Sequence, residues 1–227
     1  MPDSRFRVAT RLIPNPDSWN PLWNIIDCPA SGILHLESGI RYLCDMKWKI
    51  LSSKYLFKDT WFTVRVDTCE KPDGKIVTPY YVYEFPTWVT ALALTDDNRV
   101  VMVKQYRHAI EDTIIEIPGG CVDETDKNLE SAIARELLEE TGYEFVSYEY
   151  LGKISPNPST NNNWMHMFLA RGGKKIKEQS LDHNEEIEVV LISIDELKKL
   201  LNDHQILQAM HATAILYGLN RLGEANW

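Results

Sequence analysis

The stretch Arg135-Glu136-Leu137-Leu138-Glu139-Glu140-Thr141-Gly142-Tyr143 limits the fold most tightly, because its charges fall where a helix normally buries hydrocarbon. At about 100° per residue, with Leu129 taken as origin, Ile133 lies at about 40°, Glu136 at about 340° and Glu140 at about 20°. Two carboxylates therefore share the apolar stripe, one turn apart, so that their side chains are neighbours. Glu139 and Arg135 fall at about 280° and about 240°, on a flank where they can pair. Three glutamates in the closing turns also face the negative end of the helix dipole, where each exposed carboxylate costs about 0.3–1 kcal/mol. A merely solvated acidic helix would keep its charges away from Leu129 and Ile133.

Paired inward carboxylates invite a hard divalent cation with oxygen ligands, Mg²⁺ or Mn²⁺, and such an ion would also offset the dipole. Pro118-Gly119-Gly120, just upstream, lets a glycine carbonyl approach a metal with no side chain in the way, and Gly142 caps the helix.

Around this helix the text reads as mixed strands and terminal helices. From Met46 to Val77 it alternates like half-buried strand, with Lys71-Pro72-Asp73-Gly74 as a turn. Strands are expected at 87–94 and 99–105, joined by the turn Thr95-Asp96-Asp97-Asn98, and at 114–117. The helix covers 127–141, strands follow at 148–154, 166–171 and 187–192, and two helices close the chain at 195–201 and 206–222. This pattern implies an α/β (α+β) sandwich. Residues 1–45, with Pro14, Pro16, Pro21 and Pro29 and no sustained period, read as an extension of unassigned role. Residues 46–85 read as a unit of strands, and 86–227 as the main domain with its C-terminal helices.

Composition excludes several classes of partner. A net charge of −9 disfavours nucleic acid, whose binding relies on basic surface. No run of 18 apolar residues is long enough to span a membrane, and the first residues lack a signal peptide's apolar stretch. Cys28, Cys44, Cys69 and Cys121 show neither disulfide nor zinc spacing, which points to reduced thiols in a cytoplasmic protein.

The segment from Ile114 to Tyr143 resembles the signature of the Nudix hydrolase family: a glycine, five residues, a glutamate, seven residues, then Arg-Glu, apolar, any, Glu-Glu, any, Gly, apolar. Arg135 to Tyr143 fits throughout. In the first half the sixth residue after Gly120 is Asp126 rather than glutamate, and Arg135 comes one place late, so the loop carries a one-residue insertion. Either Asp126 or Glu124, or neither, takes the usual role of pairing with Arg135. The resemblance extends over about residues 46–201 and is similar in detail to the ADP-ribose pyrophosphatase branch. It implies a Nudix-type α/β/α sandwich with a mixed sheet, preceded by antiparallel N-terminal strands that support a homodimer.

What the resemblance implies for individual residues is specific. Glu136, Glu139, Glu140 and the Gly119 carbonyl would hold Mg²⁺ (or Mn²⁺), with Arg135 part of the catalytic motif. Arg107, in Gln105-Tyr106-Arg107, would bind the diphosphate; Glu116 matches a position the branch uses near its metals or ribose, and Pro158 matches the proline that marks the branch, both assigned to substrate binding. The branch's catalytic base is a glutamate in the loop after the proline, yet this chain has no Asp or Glu from Gly152 to Lys177. Glu186, at the mouth of the strand beginning at Ile187, is the first candidate, Glu139 the second and His166 the third. Among Trp61, Tyr80, Tyr81, Tyr83 and Trp88, one would stack on a base, or all would be core. The implied reaction cleaves ADP-ribose or a related nucleoside diphosphate sugar to a nucleoside monophosphate and a sugar phosphate. A house-cleaning hydrolase of other nucleotides and a noncatalytic nucleotide sensor are the alternatives.

Overall fold

The computed structural model describes residues 46–59 and 62–225, so the extension 1–45 and Trp61 lie outside the described residues. From Trp48 onward the chain forms one compact unit.

The unit opens with an antiparallel three-stranded sheet: β1 (Lys49–Lys58), β2 (Thr63–Glu70) and β3 (Ile76–Glu84) in that spatial order. The β2–β3 turn is the expected Lys71–Gly74, closed by Lys71 N–H to Lys75 O at 2.9 Å, with Gly74 at φ +78°. The alternating text before that turn contains two strands, not one, because the chain reverses between Lys58 and Thr63. On β2 the alternation buries Thr63, Asp67 and Cys69, and Arg65 ties Asp67 to Glu84. Every residue of β1 is exposed.

The main sheet holds β4 (Trp88–Thr95), β5 (Val100–Arg107), β6 (Asp112–Glu116), β7 (Gly119–Cys121), β8 (Tyr143–Glu144), β9 (Ser147–Ile154), β10 (Met165–Lys175) and β11 (Ile187–Ile192). Its path is β11-β5-β4-β10-β8, with β6 paired to β5, β7 to β4 and β9 to β10. β4 and β10 run parallel and the other pairs antiparallel, so the sheet is mixed. β4 is covered on both sides, which explains its nearly continuous apolar text.

Helix α1 (Leu129–Thr141) covers one face, with Ala132, Ile133 and Leu137 packed among Val89, Ala91, Ala93, Phe168 and Ala170. Helices α2 (Ile194–Asn202) and α3 (Ala209–Leu222) contribute Leu197, Ala214, Ile215 and Leu219 to the second core, with Leu92, Leu94 and Met102. The alternation along β4 thus splits its odd and even positions between the two cores. Truncating a fully buried leucine such as Leu92 to alanine would cost about 2–5 kcal/mol. At Gly218 α3 comes so near the sheet that an added Cβ would sit 2.5 Å from Leu92 Cδ2.

Two local devices aim the helix at its place. Asn128 caps α1 by accepting from Ser131 N–H while the Ser131 hydroxyl accepts from Asn128 N–H, and Gly142 ends it at φ 76°. Strand β7 pins the two glycines to β4, in register Gly119 with Thr90 and Gly120 with Val89, against the inner side of α1.

Candidate active site

The carboxylates of α1 stand where their helical phase requires. Glu140 is only 6% exposed, and its Oε2 accepts from the Gly119 N–H at 3.0 Å. Glu136 lies directly against the glycine strip: a Cβ at Gly120 would fall 2.6 Å from its carboxylate. Burial pushes the Glu140 carboxyl up to about 8, the Gly119 amide opposing and the charges of Glu136 and Glu185 adding to it. Burial also lifts Glu136 to about 7, with Arg135 opposing and Glu139 and Glu185 adding. Two acids are thus held in a space with too little positive charge to keep both ionised.

Arg135 supplies part of the missing charge. Its Nη1 lies 3.0 Å from both Glu136 Oε1 and Glu139 Oε2. On its other edge Nε reaches Asp126 Oδ1 at 3.1 Å and Nη2 reaches Asp126 Oδ2 at 2.9 Å and the Cys121 carbonyl at 2.8 Å. The inserted loop closes through Asp126 Oδ2, which also accepts from Asp123 N–H. Asp126 therefore takes the arginine-pairing place. The Arg135 guanidinium holds the Asp126 carboxyl below the ordinary range.

The closing turn of α1 finds donors in the segment before β11. The Glu139 carbonyl accepts from Ser180 N–H at 2.8 Å, and Gln179 Nε2 bridges the carbonyls of Glu140 at 2.6 Å and Ile187 at 3.0 Å. These bonds satisfy carbonyls that the helix leaves open. They also bring in Glu185, half-buried in a turn in which its Oε2 accepts from Asp182 N–H at 3.0 Å. Its charge raises both Glu136 and Glu140, whereas Glu186 is exposed. The acid of this segment that bears on the pair is Glu185, one residue before the one singled out from sequence. Strand alternation hides it, since Glu185 precedes β11 and sits in a turn.

Arg107 ends β5 and grips Glu116 of β6, with Nε and Nη2 at 2.8 and 2.7 Å from the same oxygen, Oε2. Glu116 is wholly buried, and burial raises its carboxyl while Arg107 opposes the shift. Arg107 remains 43% exposed and its charge also favours ionised Glu140, so it borders the carboxylate pair. Pro158 sits exposed in a turn in which Asn161 N–H donates to Asn157 O at 2.8 Å. That loop is bonded to β3: Tyr83 N–H to Thr160 O at 2.7 Å, Asn162 N–H to Tyr83 O at 3.1 Å and Tyr80 Oη to Ser159 O at 3.0 Å. His166 instead pairs with Tyr150 Oη at 2.9 Å, and burial followed by the Lys153 charge lowers its pKa. Nothing places it beside Glu136 or Glu140.

Among the described residues no three His, Cys, Asp or Glu side chains converge as a finished metal cage. The donor set nevertheless fits a divalent cation: buried carboxylates under mutual repulsion, oxygen ligands alone, and a glycine strip with no side chain between backbone and Glu136. Glu136 and Glu140, with the backbone at Gly119, would hold it.

The family model described as the NUDIX domain matches residues 85–212, and that of the nucleoside diphosphate sugar hydrolase N-terminal domain matches residues 48–83. The chain is 31% identical over 170 residues to the ADP-ribose pyrophosphatase of Bacillus subtilis (strain 168), covering 74% of this chain and 91% of that one. It is 29% identical, with the same coverage, to the methanol dehydrogenase activator of Bacillus methanolicus. A crystal structure of an ADP compounds hydrolase superposes with a TM-score of 0.67 at 22% identity, covering 78% of this chain and 97% of that one.

Proposed function

The chain belongs to the Nudix hydrolase family, and we propose that it cleaves the diphosphate of ADP-ribose or a related nucleoside diphosphate sugar, using Mg²⁺ (or Mn²⁺). The observation that carries this reading is the buried Glu136–Glu140 pair against Gly119 and Gly120, with Arg107 at its border. The names of the relatives support the diphosphate sugar as substrate class.

A divalent cation bound by Glu136 and Glu140 would draw charge from the diphosphate oxygens and so make phosphorus more open to attack. Arg107, clamped on one edge by Glu116, keeps guanidinium surface exposed to orient a diphosphate through charge-assisted hydrogen bonds. Arg135, fixed by Asp126, holds Glu136 and Glu139 in place. Glu185 is the candidate base: it takes a proton from the water whose oxygen bonds to one phosphorus as the bridging P–O bond breaks. From ADP-ribose the products are AMP and ribose 5-phosphate.

A homodimer is part of the proposal. β1 leaves Ile50, Leu51, Tyr55, Leu56 and Phe57 each about half exposed, an apolar surface that a second copy would cover. A cytoplasmic setting agrees with the free thiols of Cys69 and Cys121. No described helix is long and apolar enough to cross a membrane.

The test is phosphate release from a panel of nucleotide sugars and nucleoside triphosphates, coupled to a phosphatase and run with Mg²⁺ and with EDTA. Metal-dependent turnover led by ADP-ribose or another diphosphate sugar supports the reading. Binding without turnover would replace it with a sensor, and a preference for triphosphates with the house-cleaning alternative.

A further inference from the structure

Glu116 uses only one of its oxygens on Arg107. Oε2 takes both guanidinium contacts, while Oε1 is fully buried and has no hydrogen-bond partner among the described residues. The atom facing it is Nδ1 of His211, 3.6 Å away, which is also buried and also lacks a partner. Two orphaned polar atoms of complementary type, turned toward each other in the interior, are each costly alone and satisfied together by a small side-chain rotation. Neutral imidazole with its proton on Nδ1 is a donor, and the carboxylate oxygen is an acceptor.

The surroundings decide the protonation state. His211 is wholly enclosed, and burial followed by the nearby Arg107 charge lowers its pKa to about 3. It also occupies the first turn of α3, where the helix dipole opposes a cation. Arg107 already compensates the Glu116 charge. The imidazole therefore acts as a neutral hydrogen-bond donor, with its tautomer set by the oxygen in front of it.

We propose that His211 is a positioning residue for Arg107: its Nδ1–H donates to Glu116 Oε1, fixing the carboxylate whose Oε2 holds the guanidinium that receives the diphosphate. Its action on substrate rests on the hydrolase reading above. The hydrogen bond itself does not. Helix α3, far beyond the signature in sequence, thereby becomes part of the substrate-binding apparatus.

The first measurement is nitrogen-15 NMR of the histidine-labelled full chain. A neutral ring protonated at Nδ1 is expected for His211; a ring protonated at Nε2, or a cationic one, overturns the proposal whatever the substrate. The second is a double-mutant cycle of His211→Leu with Arg107→Ala on ADP-ribose kinetics. His211→Leu alone should raise KM roughly tenfold and change kcat by less than about threefold, an interaction of the size such cycles resolve. In the Arg107→Ala background it should add almost nothing. His211→Asn, which keeps a donor amide, should recover most of the lost affinity. Additive losses, or an asparagine variant as poor as leucine, would overturn the positioning role. Failure of the hydrolase reading shows separately, as wild-type protein that turns over no nucleotide sugar, and the tautomer signal then still decides the contact.

Discussion

Asp126 and Arg135 meet edge to edge, carboxylate to guanidinium, through Nε to Oδ1 at 3.1 Å and Nη2 to Oδ2 at 2.9 Å. A bidentate pair of this kind fixes the plane of the arginine as well as its position. The extra residue in the loop is absorbed because the turn from Asp123 to Asp126 folds back on itself and returns a carboxylate to the arginine.

Asp126→Asn keeps the shape and removes the charge. It should lower kcat about tenfold or more by loosening Arg135 from Glu136 and Glu139, and lower stability by about 1–3 kcal/mol. The native Asp126 carboxyl is depressed, so its contribution is present above the unfolded carboxylate pKa and lost as pH falls through the folded one. The melting difference between wild type and variant should therefore shrink in acid. A difference that stays constant between pH 6 and strongly acidic buffer would contradict the pairing.

Glu140→Gln should abolish most metal-dependent turnover yet protect the metal-free fold in alkali. Burial pushes the folded carboxyls of Glu140 and Glu136 up to about 8 and about 7, above an unfolded value near 4.3. The folded state therefore binds protons more tightly, and the metal-free protein loses stability as pH rises through that window. In EDTA at pH 9 the variant should melt higher than wild type by roughly 3–8 °C, and at pH 5 the two should nearly coincide. A lower melting point for the variant at pH 9 would mean that the buried charge is already compensated.

Glu185→Gln should reduce kcat by roughly a hundredfold, the scale of a lost general base, while Glu186→Gln stays within a few fold of wild type. Both are read at saturating Mg²⁺ on the preferred nucleotide sugar. Reversed results would return the role to Glu186.

The two glycines of the strip should fail differently. At Gly119 an added Cβ would lie 2.2 Å from the Val89 carbonyl oxygen, backbone that cannot yield cheaply, so Gly119→Ala should destabilise the fold. At Gly120 the atoms nearest the Cβ all belong to the Glu136 carboxylate, the mobile end of a side chain, so Gly120→Ala should displace Glu136 and lose activity with little change in melting temperature. Paired melting and turnover measurements separate these outcomes.

Leu56→Asp on β1 should convert a dimer to a monomer in sedimentation at micromolar concentration, since it places a charge in the half-exposed apolar surface. Wild-type protein sedimenting as a monomer would remove the second copy from the proposal.

The helix, its inward carboxylates and most of the main sheet were legible because periodicity and turn residues agree there: Asn98, Gly74 and Gly142 all stand at positive φ where the text turns. β7 was not, because Gly119–Cys121 has no strand propensity and becomes strand only by pairing with β4. The bond between β1 and β2 was missed because alternation continues through the reversal between them. Glu185 stands out only in the folded chain, since the stitches made by Gln179 and Ser180 bring its segment against the end of α1. His211 gave no signal at all. A single histidine in an apolar helix reads as core until the atom opposite it is known.

The loop carrying Pro158 is bonded along β3, and Tyr83 both donates to Thr160 and accepts from Asn162. The two family models divide the chain between residues 83 and 85, but the hydrogen bonds cross that division. The division is therefore a poor place to graft. A chimaera that exchanged residues 48–83 for those of a relative would have to carry the loop of 157–163 with them, or leave its amides without acceptors. For the same reason, a change in the first sheet that broke the Tyr83 contacts would also disturb the loop that carries Pro158.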